Sequence, residues 1–180
     1  MRIPRHKSQL TPLGAVVRGA LAGAAGTLAM DLVWYRRYRR GGGESKFGDW
    51  EFSSGLESYE KAPAPAQVGK RIVQGVLQTE LKPETAAFMN NFMHWATGVA
   101  WGAMHGILVG STSENRVSYG LATGTGAWVA SYAVLASARL YKPMWEYSAT
   151  TLAKDLSAHL VFGLATAATF RALSCRLGRG

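Results

Sequence analysis

A chain of 180 residues and 19.4 kDa is long enough for one domain with a substantial core and too short for two sizeable ones. Its 20 Lys and Arg against 11 Asp and Glu give a net charge of +9, which in an evenly charged chain would point to nucleic acid or another anionic surface. The charge is uneven, however: no Asp, Glu, Lys or Arg lies between Glu84 and Glu114, nor between Arg116 and Arg139. Each gap is long enough to cross a hydrocarbon core of roughly 30 Å, which favours a lipid bilayer as partner over nucleic acid.

The first apolar stretch predicts a helix from about Leu13 to Tyr35. It follows Arg2, Arg5 and Lys7, the layout of a signal peptide, but Arg18 interrupts it and three more apolar segments come later, so it reads as a retained helix. Residues 36–86 form a long polar loop with Gly41 to Gly43, Trp50, Phe52 and a Pro-rich stretch from Ala62 to Ala66. Within this loop Val68, Ile72, Val73, Val76 and Leu77 recur at helical spacing, with Lys70, Arg71, Gln74 and Gln78 between them. That pattern predicts a short amphipathic helix, lying on a membrane surface or folded against the end of a bundle.

Three further helices are expected at Ala87 to Gly110, Val117 to Leu140 and Ala149 to Leu173. The fold class is therefore all-α: an integral membrane four-helix bundle in a single domain over residues 1–180. A mean hydropathy near zero keeps a soluble helical protein as the alternative. That low mean comes largely from the loop and from heavy use of Gly, Ala, Ser and Thr, which close packing of helices in lipid selects. The lone Cys175 can form no internal disulfide.

Orientation follows from basic residues near the helix ends. Arg36, Arg37, Arg39, Arg40, Lys46, Lys70, Arg71, Lys82, Arg139 and Lys142 lie on the side of the long loop, against Arg2, Arg5, Lys7, Arg116, Arg171, Arg176 and Arg179 opposite. The long loop is expected to be cytoplasmic and both termini outside.

Small or polar residues recur every fourth position in three helices and so share one face of each. The first carries Ala15, Gly19, Gly23, Thr27 and Asp31; the second His94, Gly98, Gly102, Gly106 and Gly110; the fourth Asp155, His159, Gly163 and Ala167. Such stripes let backbones approach closely, within a bundle or between protomers, so a homo-oligomer or a larger membrane complex is a possible partner state.

Because successive helices alternate in direction, the polar members Asp31, Asn90, Asn91, His94, Lys154, Asp155 and His159 all fall toward the long-loop side. Trp34, Tyr35, Trp95, Trp145 and Tyr147 accompany them, as in an interfacial aromatic belt. Ionisable groups at such depth are costly and open several readings. Asp31 could pair with Lys154 while the histidines act in packing. His94 and His159 with Asp31 or Asp155 have acceptable chemistry for a metal, and the two histidines could hold haem. Arg18 and His105 could extend a proton or solute path toward the other side, although four short helices leave little room for a gated cavity. Soluble-enzyme motifs are missing, and neither a catalytic residue, a metal nor a cofactor is assigned.

The Gly-rich first helix, the segment Asn90-Asn91-Phe92-Met93-His94-Trp95, and Trp145-Glu146-Tyr147 followed by His159-Leu160-Val161 together resemble the YagU-like family of uncharacterised bacterial inner-membrane proteins. The resemblance implies a multi-pass protein of the bacterial cytoplasmic membrane with a four-helix fold, and it carries over no reaction. The expected function is that of a non-enzymatic accessory, scaffold or stress-related component packing through its glycine stripes. The alternative is a small transport or proton-conducting unit using the Asp/His cluster, and a metal- or haem-binding redox protein comes third.

Overall fold

The computed structural model describes residues 10–110 and 117–176, which leaves Arg2, Arg5, Lys7, Arg116 and Arg179 of the charge balance outside the described residues. The protein is all-helical, with 79% of it in helix and no strand among the described residues. Its helices are α1 (Pro12–Arg40), α2 (Phe47–Glu51), α3 (Ala64–Leu77), α4 (Ala86–Gly110), α5 (Val117–Ser137) and α6 (Ala149–Arg176). By length and composition, α1 and α6 are the two long and apolar enough to cross a membrane.

Local chemistry explains the ends of α1. Thr11 accepts the Gly14 amide at 3.1 Å and Pro12 occupies the first turn, where a missing N–H costs nothing. The helix runs five residues past its expected end at Tyr35, because Arg37, Arg39 and Arg40 in its last turn suit the negative end of the helix dipole. Gly42, at φ 91°, then turns the chain. The expected third helix stops three residues short of Leu140, with Arg139 in a left-handed turn at φ 57°. The long loop also contains the unforeseen α2, a single short turn whose aromatics Phe47 and Trp50 pack on Tyr35 at 5.2 and 5.5 Å between ring centroids.

The small-residue stripes decide which helices touch. Ala15, Gly19, Gly23 and Thr27 of α1 lie directly on Gly110, Gly106, Gly102 and Gly98 of α4, running antiparallel. A Cβ on Gly23 would stand 2.8 Å from the Gly102 Cα, and one on Gly19 would stand 2.9 Å from the Gly106 Cα. Gly120 and Gly124 of α5 meet Gly163, Ala167 and the His159 carbonyl of α6 in the same manner. Between these two hairpins, Gly26 of α1 packs on Thr166 and Phe162 of α6.

The long helices are thus ordered α4, α1, α6, α5, and the outer two, α4 and α5, touch only sparsely. The amphipathic segment of the loop becomes α3, which folds against α4 by setting Ala66 and Gly69 over Ala86, Met89 and Met93. Ile72, Val76 and Leu77 of α3 stay exposed.

These contacts separate glycines that differ only in position. Gly102→Ala places a methyl against the Gly19 carbonyl and the Gly23 Cα, both backbone atoms that cannot swing aside, and should destabilise by about 1–3 kcal/mol. A Cβ at Gly75 within α3 meets nothing within 4 Å, so Gly75→Ala should instead stabilise by about 0.5–1 kcal/mol. Thermal unfolding of the two variants in detergent checks the opposite signs.

Candidate functional site

The stripe on α1 ends at Asp31, only 4% exposed, and the stripe on α4 begins at His94. Close approach of the two backbones places His94 Nε2 2.9 and 3.1 Å from the two Asp31 carboxylate oxygens. A carboxylate only accepts, so Nε2 carries the proton and donates it, and Nδ1 is left as an acceptor in the neutral ring. Asp31 therefore pairs with His94 and not with Lys154, whose side chain is exposed. Lys154 contributes through its backbone instead: its carbonyl accepts from Arg37 Nη1 at 2.7 Å, tying α1 to α6.

Glu51 of α2 is the residue that sequence reasoning missed. It is 9% exposed, it accepts a hydrogen bond from Trp95 Nε1 at 2.9 Å, and its carboxyl lies against that of Asp31. Burial, reinforced by the negative charge of Asp31, raises its pKa above the ordinary carboxylate value, while the Trp95 hydrogen bond pulls the other way. The only hint in the sequence is the aromatic setting of Glu51 between Trp50 and Phe52.

On α6, one helical turn brings His159 Nδ1 to 3.0 Å from the Asp155 carbonyl and 3.4 Å from its carboxylate. Nδ1 must donate to these acceptors, which leaves Nε2 of the neutral ring as an acceptor. Tyr132 packs edge-on against Tyr141 and Tyr147. Asn90 and Asn91 stand apart from both pairs. Asn90 Nδ2 donates to Ser53 Oγ at 2.9 Å, and Asn91 Nδ2 donates to the Ala87 carbonyl of its own helix at 3.0 Å.

Where α4 and α5 diverge from their sparse contact, a cavity of about 590 Å³ opens between them, floored by α1 and α6 and bordered by Pro65 and Val68 of α3. Contrary to the expectation of little room, four helices leave this space because only three of their four lateral contacts are tight. Met30, Trp34, Met93, Trp101, Met104 and Phe162 give it apolar walls. His94, Asp155, His159 and Tyr141 also line it, so the Asp155–His159 pair and the histidine of the other pair face one chamber, while Asp31 itself does not line it.

Among the described residues, no three His, Cys, Asp or Glu are arranged to hold a metal ion. His105 is remote from both pairs in sequence and fully buried, with Nδ1 2.8 Å from Thr123 Oγ1 and its ring edge-on to Phe170. Comparison with protein-family models, curated proteins and solved structures finds no match to the chain.

Two outcomes follow from the Asp31 environment. His94→Ala removes the partner of a buried carboxylate and should cost about 1–3 kcal/mol of stability, part of which Asp31→Asn in the same background restores by removing the orphaned charge. A double-mutant cycle of unfolding midpoints reads this. For Glu51, the folded state holds a proton that the unfolded chain has already released, so stability falls as pH rises from the ordinary glutamate value through the raised one. Glu51→Gln should flatten that portion of the pH–stability curve.

Proposed function

We propose that the chain is an integral membrane protein whose four long helices α1, α4, α5 and α6 all cross the bilayer. It acts as a non-enzymatic binding or accessory component, holding a small apolar or amphiphilic molecule in the cleft between α4 and α5. The observation that carries this reading is the cleft itself, with apolar walls and its ionisable groups confined to two hydrogen-bonded pairs. A space with such walls is the usual form of a small-molecule site.

Exposure supports the membrane. Leu13, Val17, Leu21, Leu28 and Leu32 form an exposed apolar stripe along α1, and Phe88, Phe92 and Ile107 on α4 and Val117, Leu121 and Val129 on α5 are exposed as well. A water-soluble monomer rarely shows apolar surface on this scale, whereas lipid covers it without cost. In α4, His105 and the glycines 98, 102 and 106 are buried, while the polar Asn90, Asn91 and His94 lie in the first turns of the helix, nearest the long loop. Arg36, Arg37, Arg39 and Arg40 support a cytoplasmic long loop, and the YagU-like resemblance supports a bacterial inner membrane. The glycine stripes are occupied within the chain, so a homo-oligomer or larger complex would use other faces.

The test fills the cleft. Ala130 lines it without being fully buried, so Ala130→Trp should occupy the space while leaving the glycine contacts alone. A neutral solvatochromic dye, titrated into protein in lipid nanodiscs, should bind the unmodified chain saturably. The variant should bind it at least tenfold more weakly, with an unchanged unfolding midpoint. Equal, non-saturating partition into both would overturn the reading.

A further inference from the structure

The polar groups that line the cleft have a common sense. Thr27 donates its hydroxyl proton to the Gly23 carbonyl at 2.9 Å, Thr97 to the Met93 carbonyl at 2.7 Å, and Ser131 to the Trp128 carbonyl at 2.8 Å. Each hydroxyl therefore offers the cleft only lone pairs. His94 and His159 likewise direct their N–H groups at protein acceptors, and Asp155 is a carboxylate. No Lys or Arg lines the cavity. Trp101 and Tyr141 add aromatic faces, whose negative quadrupole attracts cations, while the Trp34 ring already carries the Arg37 guanidinium 4.8 Å from its centroid.

With His94 and His159 in their neutral forms, a chamber of acceptors, carboxylate and aromatic rings that no Lys or Arg lines disfavours an anionic head group and leaves a neutral acceptor with few donors. We propose that the ligand of the cleft is a lipophilic ammonium: an organic cation whose N–H donors and positive charge sit at the Asp155–His159 pair beside His94 and whose apolar body lies along Met30, Met104 and Phe162. This rests on the reading of the cleft as a ligand site and adds the chemical class of the occupant. Phosphate- and carboxylate-headed lipids are excluded by the same chemistry, since their recognition calls on Arg, Lys or backbone N–H groups.

The experiment keeps the chain in nanodiscs and uses the neutral dye as reporter. Decylammonium, decanol and decanoate, matched in tail and differing in head, are titrated as competitors, and the apparent constants are corrected for partition measured on empty nanodiscs. Decylammonium should displace the dye at least tenfold more effectively than decanol, and decanoate should be the weakest. Asp155→Asn should remove most of the preference for decylammonium over decanol, read as the ratio of the two competitors' constants on that variant. Should that variant fail to fold, His159→Gln, which keeps the residue polar and uncharged, serves with direct calorimetry of decylammonium on the unmodified chain. A dye that never binds saturably defeats the cleft as a ligand site. A dye displaced equally by all three heads, or best by decanoate, leaves the cleft standing and overturns the cationic ligand.

Discussion

The fold depends on two backbones, those of α1 and α4, meeting without side chains between them. Gly19 and Gly23 lie on Gly102 and Gly106 so closely that a single Cβ would strike carbonyl oxygen or Cα. Dispersion contacts of this density bind helices in surroundings where the hydrophobic effect between them is weak. They also set register: with Gly23 on Gly102, Thr27 falls on Gly98 and Asp31 on His94. The buried pair is thus a consequence of the stripe one turn further on.

The same logic explains the cleft. Glycine contacts join α4 to α1, α1 to α6 and α6 to α5, which fixes the order of four helices and leaves α4 and α5 to close the ring. The faces these two present carry Met93, Trp101 and Met104 on one side and Val134 and Leu135 on the other. Bulky side chains cannot interdigitate as closely as bare backbones, so the fourth contact stays open. α3 reaches over the opening with Pro65 and Val68, and Arg71 donates to the Ala138 carbonyl just past the end of α5.

Much of this arrangement was legible in the sequence, because periodicity reports faces. The periodicity places the four long helices to within a few residues, except that α1 runs on to Arg40, and the fourfold spacing of Gly98, Gly102 and Gly106 corresponds to a close contact inside the chain. The grouping of Asp31, His94, Asp155 and His159 near the long loop followed from helix direction alone. What the sequence could not carry was pairing across elements. Asp31 chose His94 over Lys154 through register, and Asn90 and Asn91 turned to Ser53 and to their own helix, outcomes fixed by rotation angles finer than a fourfold repeat resolves. Glu51 carries only its aromatic setting as a signal because five residues have no detectable period, and the cleft is hidden because a sparse contact leaves little trace in either helix.

Whether a small apolar or amphiphilic molecule resides between α4 and α5 is measured most directly by photo-crosslinking there. A photoactivatable neutral alkyl probe is added to membranes containing the full chain, and its adducts are mapped by mass spectrometry. The account predicts adducts concentrated on Met30, Met93 and Phe162, which line the cleft away from the outer surface, and suppressed by unlabelled competitor. Adducts confined to outward residues such as Leu21 and Leu32, indifferent to competitor, would contradict it.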